Sequence, residues 1–307
     1  DNILGHRQDV IDVIKDWSPT FLRWPGGNFV SAYHWLDGVG PIDKRPTRLD
    51  PAFNLLESND VGTDEFVQLC RLLNSDPVLT VNMGDGTPEE AAAWVSYCNG
   101  DEHTEYGKLR IENGFIDPYN VKTWFVGNEL FGNWQVGHVD PETYARNYLE
   151  FARAMRAADP DIELIAVGVP IDLYGRWNEM VAKICGAELE ELSLHYYSIR
   201  TEMMKNKPEG GNLYNAKVAC SIEVESMLDQ TINVLNSAGA PHVPIVFDEW
   251  NTYVDAKAPD FIGSYDLADG IYVGGIMNGL LRRSERIKRS CIYNLINAMA
   301  PYRVAPT

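Results

Sequence analysis

The chain has 307 residues, of which 45% are apolar and 23% charged, enough to bury a sizeable core without disulfide or metal staples. Its 26 Lys and Arg against 44 Asp and Glu give a formal charge of −18. That balance argues against nucleic acid or an anionic membrane as the main partner, since both ask for a cationic face. No apolar run approaches the roughly 18 residues of a membrane span, and collagen-like, coiled-coil and disordered compositions are excluded too.

In chain order, the opening stretch predicts a helix with Val10, Val13, Ile14 and Trp17 on one face. A first strand is predicted over 20–24 and a second over 77–82. Thr87-Pro88-Glu89-Glu90 then reads as an N-cap, a first-turn proline and a capping-box glutamate. A third strand is predicted over 121–127, and Asp140-Pro141-Glu142 opens a helix whose Tyr144, Tyr148, Phe151, Ala152 and Met155 share a face. Strands over 163–169, 191–196 and 243–247 follow. A helix with Leu267, Ile271, Gly274 and Leu281 on one face precedes a last strand over 291–297. The runs are near-continuous and apolar, as parallel strands covered on both faces require.

Seven such strands alternating with helices predict an α/β fold, a (β/α)8 TIM barrel. No GxGxxG or GxxxxGK[ST] supports the open doubly wound alternative. The count is one strand short, the sequence opens on a helix, and it stops about ten residues after the last run. The expectation is one incomplete barrel over residues 1–307, its first strand and final helix outside the sequence. The five cysteines, Cys70, Cys98, Cys185, Cys220 and Cys291, lack any CxxC or zinc spacing and read as free buried thiols. Together with the absence of an Asn-x-Ser/Thr sequon, they favour a cytoplasmic setting.

In a barrel, chemistry sits where strands end. The third run exits into Gly127-Asn128-Glu129 and the sixth into Asp248-Glu249-Trp250-Asn251. A pair of carboxylates on one rim is what glycosidic cleavage uses, one protonated to assist the departing oxygen and one ionised to attack or to activate water. Either glutamate alone is also compatible with a solvated strand end. Asn128 suits a ring hydroxyl or a loop backbone, and Arg23, closing the first strand, calls for a carboxylate partner. Pro25-Gly26-Gly27 is a turn that brings backbone close to the mouth. His195-Tyr196-Tyr197 closes the fifth run, with the histidine structural or ligand-facing and a tyrosine hydroxyl placed for the nucleophile or a sugar. Trp24, Trp35, Trp134 and Trp250 fall near rim positions, some as sugar platforms and some as core. The six histidines show no HxH or HExxH and no GxSxG occurs, so neither a metal centre nor a serine elbow is predicted.

With these residues assembled, the sequence resembles glycoside hydrolase family 51, the α-L-arabinofuranosidases. The matching segments are LRWPGGNFVSAYHWLDGVGPIDKRP (22–46), ESNDVGTDEF (57–66), VNMGDGTPEEAAAWVSYCN (81–99), WFVGNELFGNWQVG (124–137), SLHYY (193–197) and VFDEWN (246–251). The resemblance implies a retaining hydrolase that releases terminal arabinofuranosyl groups from arabinan- or arabinoxylan-type oligosaccharides. It implies Glu129 as general acid/base, Glu249 as nucleophile and Asn128 as the contact to the sugar 2-hydroxyl. Arg23 and Tyr197 are then neighbours of the nucleophile, and Asn28 lies at a position that contacts bound arabinose. His195 and Trp250 join the substrate-binding set. Asn294 stands where the family's eighth strand usually presents a glutamine, a change that bears on substrate preference. No metal or cofactor is implied, and the assembly is expected to be a homo-oligomer. The family's first-strand glutamate is expected upstream of Asp1 and its β-sandwich domain after Thr307. The retaining route needs carboxyl groups about 5–5.5 Å apart, the inverting one about 6.5–9.5 Å. Rival readings are the same machinery acting on a β-glucan or galactofuranoside, and a non-catalytic carbohydrate-binding barrel.

Overall fold

Four short apolar runs build the first part of the molecule: β1 (Phe21–Trp24), β2 (Asp76–Val81), β3 (Thr123–Val126) and β4 (Glu163–Val167). Each pairs in parallel with the next, with Phe21 opposite Asp76, Val78 opposite Thr123 and Thr123 opposite Glu163. The computed structural model describes residues 2–170, 174, 176–198, 213–252, 265–297 and 299–304. These fall into an N-terminal unit, residues 1–167 with 187–190, and a C-terminal unit, residues 168–186 with 191–307.

In the N-terminal unit the strands are covered by α1 (Gln8–Trp17), α2 (Thr63–Leu73), α3 (Pro88–Asn99), α4 (Glu105–Glu112) and α5 (Pro141–Ala158). The predicted caps form. Thr87 accepts the Glu90 N–H at 3.2 Å, and Asp140 accepts the Thr143 N–H at 3.0 Å. Glu90 does not close a capping box, because its carboxylate lies 2.9 Å from His34 Nδ1. All five residues of the predicted α5 face are buried. The hydroxyl of Tyr144 donates to Val126 O at 2.9 Å and accepts from Val167 N at 2.6 Å, so this face pins the carboxyl ends of β3 and β4. In α1 the buried pair is Ile11 and Ile14, while Trp17 is exposed. The amphipathic face is therefore rotated from the predicted one.

The C-terminal unit holds β5 (Glu191–Tyr197), β6 (Ile245–Asn251) and β7 (Ile287–Ile292), again parallel neighbours in that order. Around them lie α6 (Trp177–Cys185), α7 (Leu213–Ser237) and α8 (Leu267–Leu281). Three expectations are corrected here. The sixth strand runs on through Asn251, with a bulge between Phe247 and Glu249, so Glu249 belongs to the strand itself. The last strand is Ile287–Ile292, not 291–297. Its Lys288 and Arg289 obscured it, and both pair with Glu191, which is buried at the start of β5. In α8 the predicted face is outside, with Leu267 75% and Leu281 70% exposed, and the buried residues include Ala268, Tyr272, Ile276 and Gly279. Small residues decided that orientation. A Cβ on Gly275 would lie 2.5 Å from Ser221 Oγ and one on Gly279 2.8 Å from Glu225 Cγ, so glycine lets α8 settle against α7. All five cysteines are free thiols, four of them buried. Among the described residues no helix is long and apolar enough to cross a membrane.

Candidate active site

β3 delivers Glu129 through a tight exit. Gly127 has φ +85, and a Cβ there would lie 2.6 Å from Leu130 Cδ2, so both conformation and space call for glycine. Glu129 itself sits at φ +48, in the left-handed region that residues with a side chain rarely occupy. The chain then turns on bonds from Gly132 N to Glu129 O (2.8 Å) and from Gln135 N to Gly132 O (3.0 Å). Trp134, half exposed, donates its indole N–H to Glu129 Oε2 at 2.9 Å.

Beside it, Asn128 is 1% exposed and accepts from Arg23 Nη2 at 2.7 Å. Its Nδ2 has no hydrogen-bond partner among the described residues. A buried amide donor left open in this way is suited to a ligand oxygen. The Arg23 guanidinium also lies over the Phe125 ring, 4.6 Å from its centroid. Asn28 opens a short 3₁₀ turn, Asn28–Ala32, and its carbonyl accepts from Gln135 Nε2 at 3.4 Å. Gln135 is buried and also donates to Ser31 Oγ, so one side chain ties the Asn28 turn to the loop that carries Glu129.

In the C-terminal unit Glu249 is 7% exposed and is held from two sides. Tyr197 donates its hydroxyl to Oε1 at 2.8 Å, and His195 Nδ1 stands 2.9 Å from Oε2. The other ring nitrogen of His195 is 3.2 Å from Asp248 Oδ2, and Ser193 donates to Asp248 Oδ1 at 2.6 Å. The imidazole thus bridges two buried carboxylates, a contact that an imidazolium satisfies at both nitrogens and a neutral ring at only one. Asn251 donates to the carbonyls of Tyr293 and Met299 and fastens the end of β6 to the loop carrying Asn294, whose N–H donates to Met299 O at 3.1 Å. The Tyr293 ring meets Tyr197 edge-on at 6.0 Å.

A family model described as the alpha-L-arabinofuranosidase 1 domain matches residues 13–212. The chain belongs to glycoside hydrolase family 51, the α-L-arabinofuranosidases. A second model, for the α-L-arabinofuranosidase C-terminal domain, matches residues 248–307, which hold the end of β6, α8 and β7. Alpha-L-arabinofuranosidase C of Emericella nidulans is 38% identical over 97% of this chain and 61% of its own length. The intracellular exo-alpha-(1->5)-L-arabinofuranosidase of Streptomyces lividans is 32% identical over 98% of this chain and 48% of its own. The arabinose complex of the Thermotoga maritima α-L-arabinofuranosidase matches with a TM-score of 0.90 and 36% identity, covering 99% of this chain and 61% of that one. The chain therefore spans about three fifths or less of the length of these relatives. Its fold class is the (β/α)8 barrel.

Set against this arabinofuranosidase-family fold, the residues singled out in the sequence divide. The N-terminal unit brings Arg23, Asn128 and Glu129 together and ties Asn28 to them. The C-terminal unit gathers His195, Tyr197 and Glu249, with Asn294 on the loop bound to the end of β6. Trp250 is corrected. It is 5% exposed, stacks on Phe247 at 6.0 Å and donates to Ser290 Oγ at 2.8 Å, so its ring packs inside the unit and offers no sugar platform. Trp35 is likewise core, stacked on Trp94, and Trp24 stacks on Phe66. Trp134 is the one of the four that is exposed. Sequence reasoning missed Gln135, Asp248 and Ser193 as partners. Asp248 adjoins Glu249 and Gln135 lies in the quoted 124–137 segment, but nothing in either spacing says which side chain they reach.

Proposed function

We propose that the protein is a retaining, exo-acting glycoside hydrolase that releases terminal α-L-arabinofuranosyl groups from arabinan- or arabinoxylan-type oligosaccharides. The observation that carries this is the pair of glutamates at the carboxyl ends of parallel strands in unlike surroundings. Glu129 is half-buried against an indole N–H, whereas Glu249 is buried beneath a phenol and an imidazole. Two carboxyl groups in different environments suit two different roles. Membership of the family and the names of the relatives support arabinofuranose as the sugar, and the Streptomyces name supports exo action.

Glu129 enters protonated and gives its proton to the glycosidic oxygen. Glu249 attacks the anomeric carbon, the bond to the leaving alcohol breaks, and a glycosyl ester forms on Glu249. Glu129, now ionised, takes a proton from water, which attacks the same carbon and frees Glu249. Two displacements return the sugar with its starting configuration. Tyr197 and His195 orient the nucleophile, Asn128 Nδ2 meets a sugar hydroxyl, and Arg23 fixes Asn128. Asn28 and Asn294 border the sugar. The cycle as written uses no metal or cofactor. Homo-oligomeric assembly and a cytoplasmic setting belong to the same reading, the latter supported by the name of the Streptomyces relative.

Proton NMR of the reaction on 4-nitrophenyl α-L-arabinofuranoside tests the route. The α-anomer of arabinose must appear before mutarotation, and a first-formed β-anomer refutes the covalent mechanism. Glu249→Ala is expected to remove nearly all turnover. A panel of aryl glycosides in which a glucoside or galactofuranoside is preferred would overturn the substrate assignment, and light scattering gives the assembly mass.

A further inference from the structure

The acid/base assigned above has a partner whose chemistry fixes more than its position. Trp134 donates to Glu129 Oε2, and an indole nitrogen is a donor only, with no lone pair to accept in return. The bond would be fragile if the ring were free, since half of the side chain is exposed. It is not free. The indole lies flat on Gly132, where a Cβ would fall 2.3 Å from Cε2 and 2.4 Å from Cζ2, and the Phe131 ring meets it edge-on at 5.9 Å and 88°. The same turn that brings Trp134 back to Glu129 is closed by the Gly132 N–H on the Glu129 carbonyl. Residues 129 to 134 are thus a small device: a glutamate, a glycine that leaves a seat, and an indole in the seat aimed at one carboxyl oxygen.

Resting on the reading of Glu129 as the acid/base, we propose that Trp134 is a positioning residue that assigns the catalytic proton to Glu129 Oε1. An oxygen that accepts an N–H bond is the carbonyl-like one, because protonating it weakens it as an acceptor, so the acidic hydrogen resides on the other oxygen. The carboxyl is then presented to the leaving group in one orientation and one tautomer. Without the indole N–H, Oε2 loses a donor that distinguishes it from Oε1, and the proton is directed less strongly to one oxygen. Only steps that need the acid suffer. Substrates whose leaving group departs as a stable anion need little protonation and are spared.

The experiment compares kcat/KM of the purified protein on 4-nitrophenyl α-L-arabinofuranoside and on an arabino-oligosaccharide. Trp134→Phe keeps a ring and removes the N–H. Its expected effect is about a tenfold loss on the oligosaccharide, the upper end of what one hydrogen bond between neutral groups contributes, with the nitrophenyl substrate nearly unchanged. Gly132→Ala supplies an independent arm. It leaves the indole chemistry intact but places a methyl where the ring sits, and it is expected to reproduce the same selective loss. Equal losses on both substrates, or none on either, in both variants would overturn the proposal, since a merely structural role does not discriminate by leaving group. Glu129→Ala is run in parallel. If it shows the selective loss and the other two variants do not, Trp134 alone loses its assignment. If it shows no selectivity, the acid/base reading falls first and this proposal with it.

Discussion

Glu129 occupies a backbone conformation that costs a side-chain-bearing residue about 1–2 kcal/mol, and the turn bonds on its carbonyl and through Gly132 hold it there. Replacing it by glycine or by alanine removes the carboxyl equally, yet only glycine relaxes at φ +48. Glu129→Gly is therefore expected to unfold later than Glu129→Ala, by about 1 kcal/mol in thermal or denaturant unfolding, with both lacking acid/base catalysis. Equal midpoints would mean that the turn imposes no strain. His195 makes the opposite case, a residue whose removal leaves charge stranded. Asp248 and Glu249 are adjacent, both buried, and the imidazole stands between them. His195→Ala is expected to cost about 3 kcal/mol of stability, the scale for breaking a buried ion pair by removing one partner. Tyr197→Phe deletes only one hydroxyl donor to Glu249. It is expected to leave the unfolding midpoint nearly in place while lowering kcat by about tenfold. A Tyr197→Phe variant with wild-type kcat would remove that phenol from the nucleophile's environment.

At the level of elements, α5 links the cap of a helix to the rim of a strand, because Tyr144 in its first turn bonds both Val126 O and Val167 N. The cap is Asp140, whose carboxyl is held below its ordinary 3.8 first by the Thr143 N–H and then by the Thr143 hydroxyl. A depressed carboxyl contributes stability above its unfolded value and loses it as pH falls through the folded one. Asp140→Ala is thus expected to cost about 1 kcal/mol at neutral pH, and the gap to the parent should close as pH drops below 3.8. A gap that stays constant to pH 3 would show that packing, not the charged cap, sets it. Elements of this kind were legible in the sequence because their signals are local: Thr87-Pro88, Asp140-Pro141, the aromatic face of α5 and the apolar runs of β2, β3 and β5. The failures are equally physical. β7 hides behind Lys288 and Arg289, whose charge is met by Glu191 nearly a hundred residues away. α8 is apolar nearly all round, so its period does not reveal which face packs, and glycines facing α7 decide it. The two glutamates could be read from strand exits. Trp250 could not be placed, because one bulge between Phe247 and Glu249 decides which residues face inward.

The whole molecule carries a formal charge of −18 and a sequence isoelectric point near 4.7, so at neutral pH its surroundings are strongly negative. Such a field acts on charged ligands over about 10 Å at 0.1 M salt and over only about 3 Å at 1 M. A neutral arabino-oligosaccharide does not feel it, and kcat/KM on that substrate is expected to be flat across the salt range. A glycan bearing a uronate is repelled as it approaches, so its kcat/KM is expected to rise with salt, by a factor of about two to ten between low and molar ionic strength. The comparison separates the field from general salt effects on the protein, since both substrates meet the same active groups. A parallel rise on both substrates would trace the effect to the protein's own conformation or assembly. A fall on the uronate substrate would show that a local cation outweighs the global charge. Composition alone argues against polyanionic partners, and the same excess of carboxylates is expected to rank the glycans: uncharged arabinose chains first, acid-decorated ones behind them until salt levels the difference.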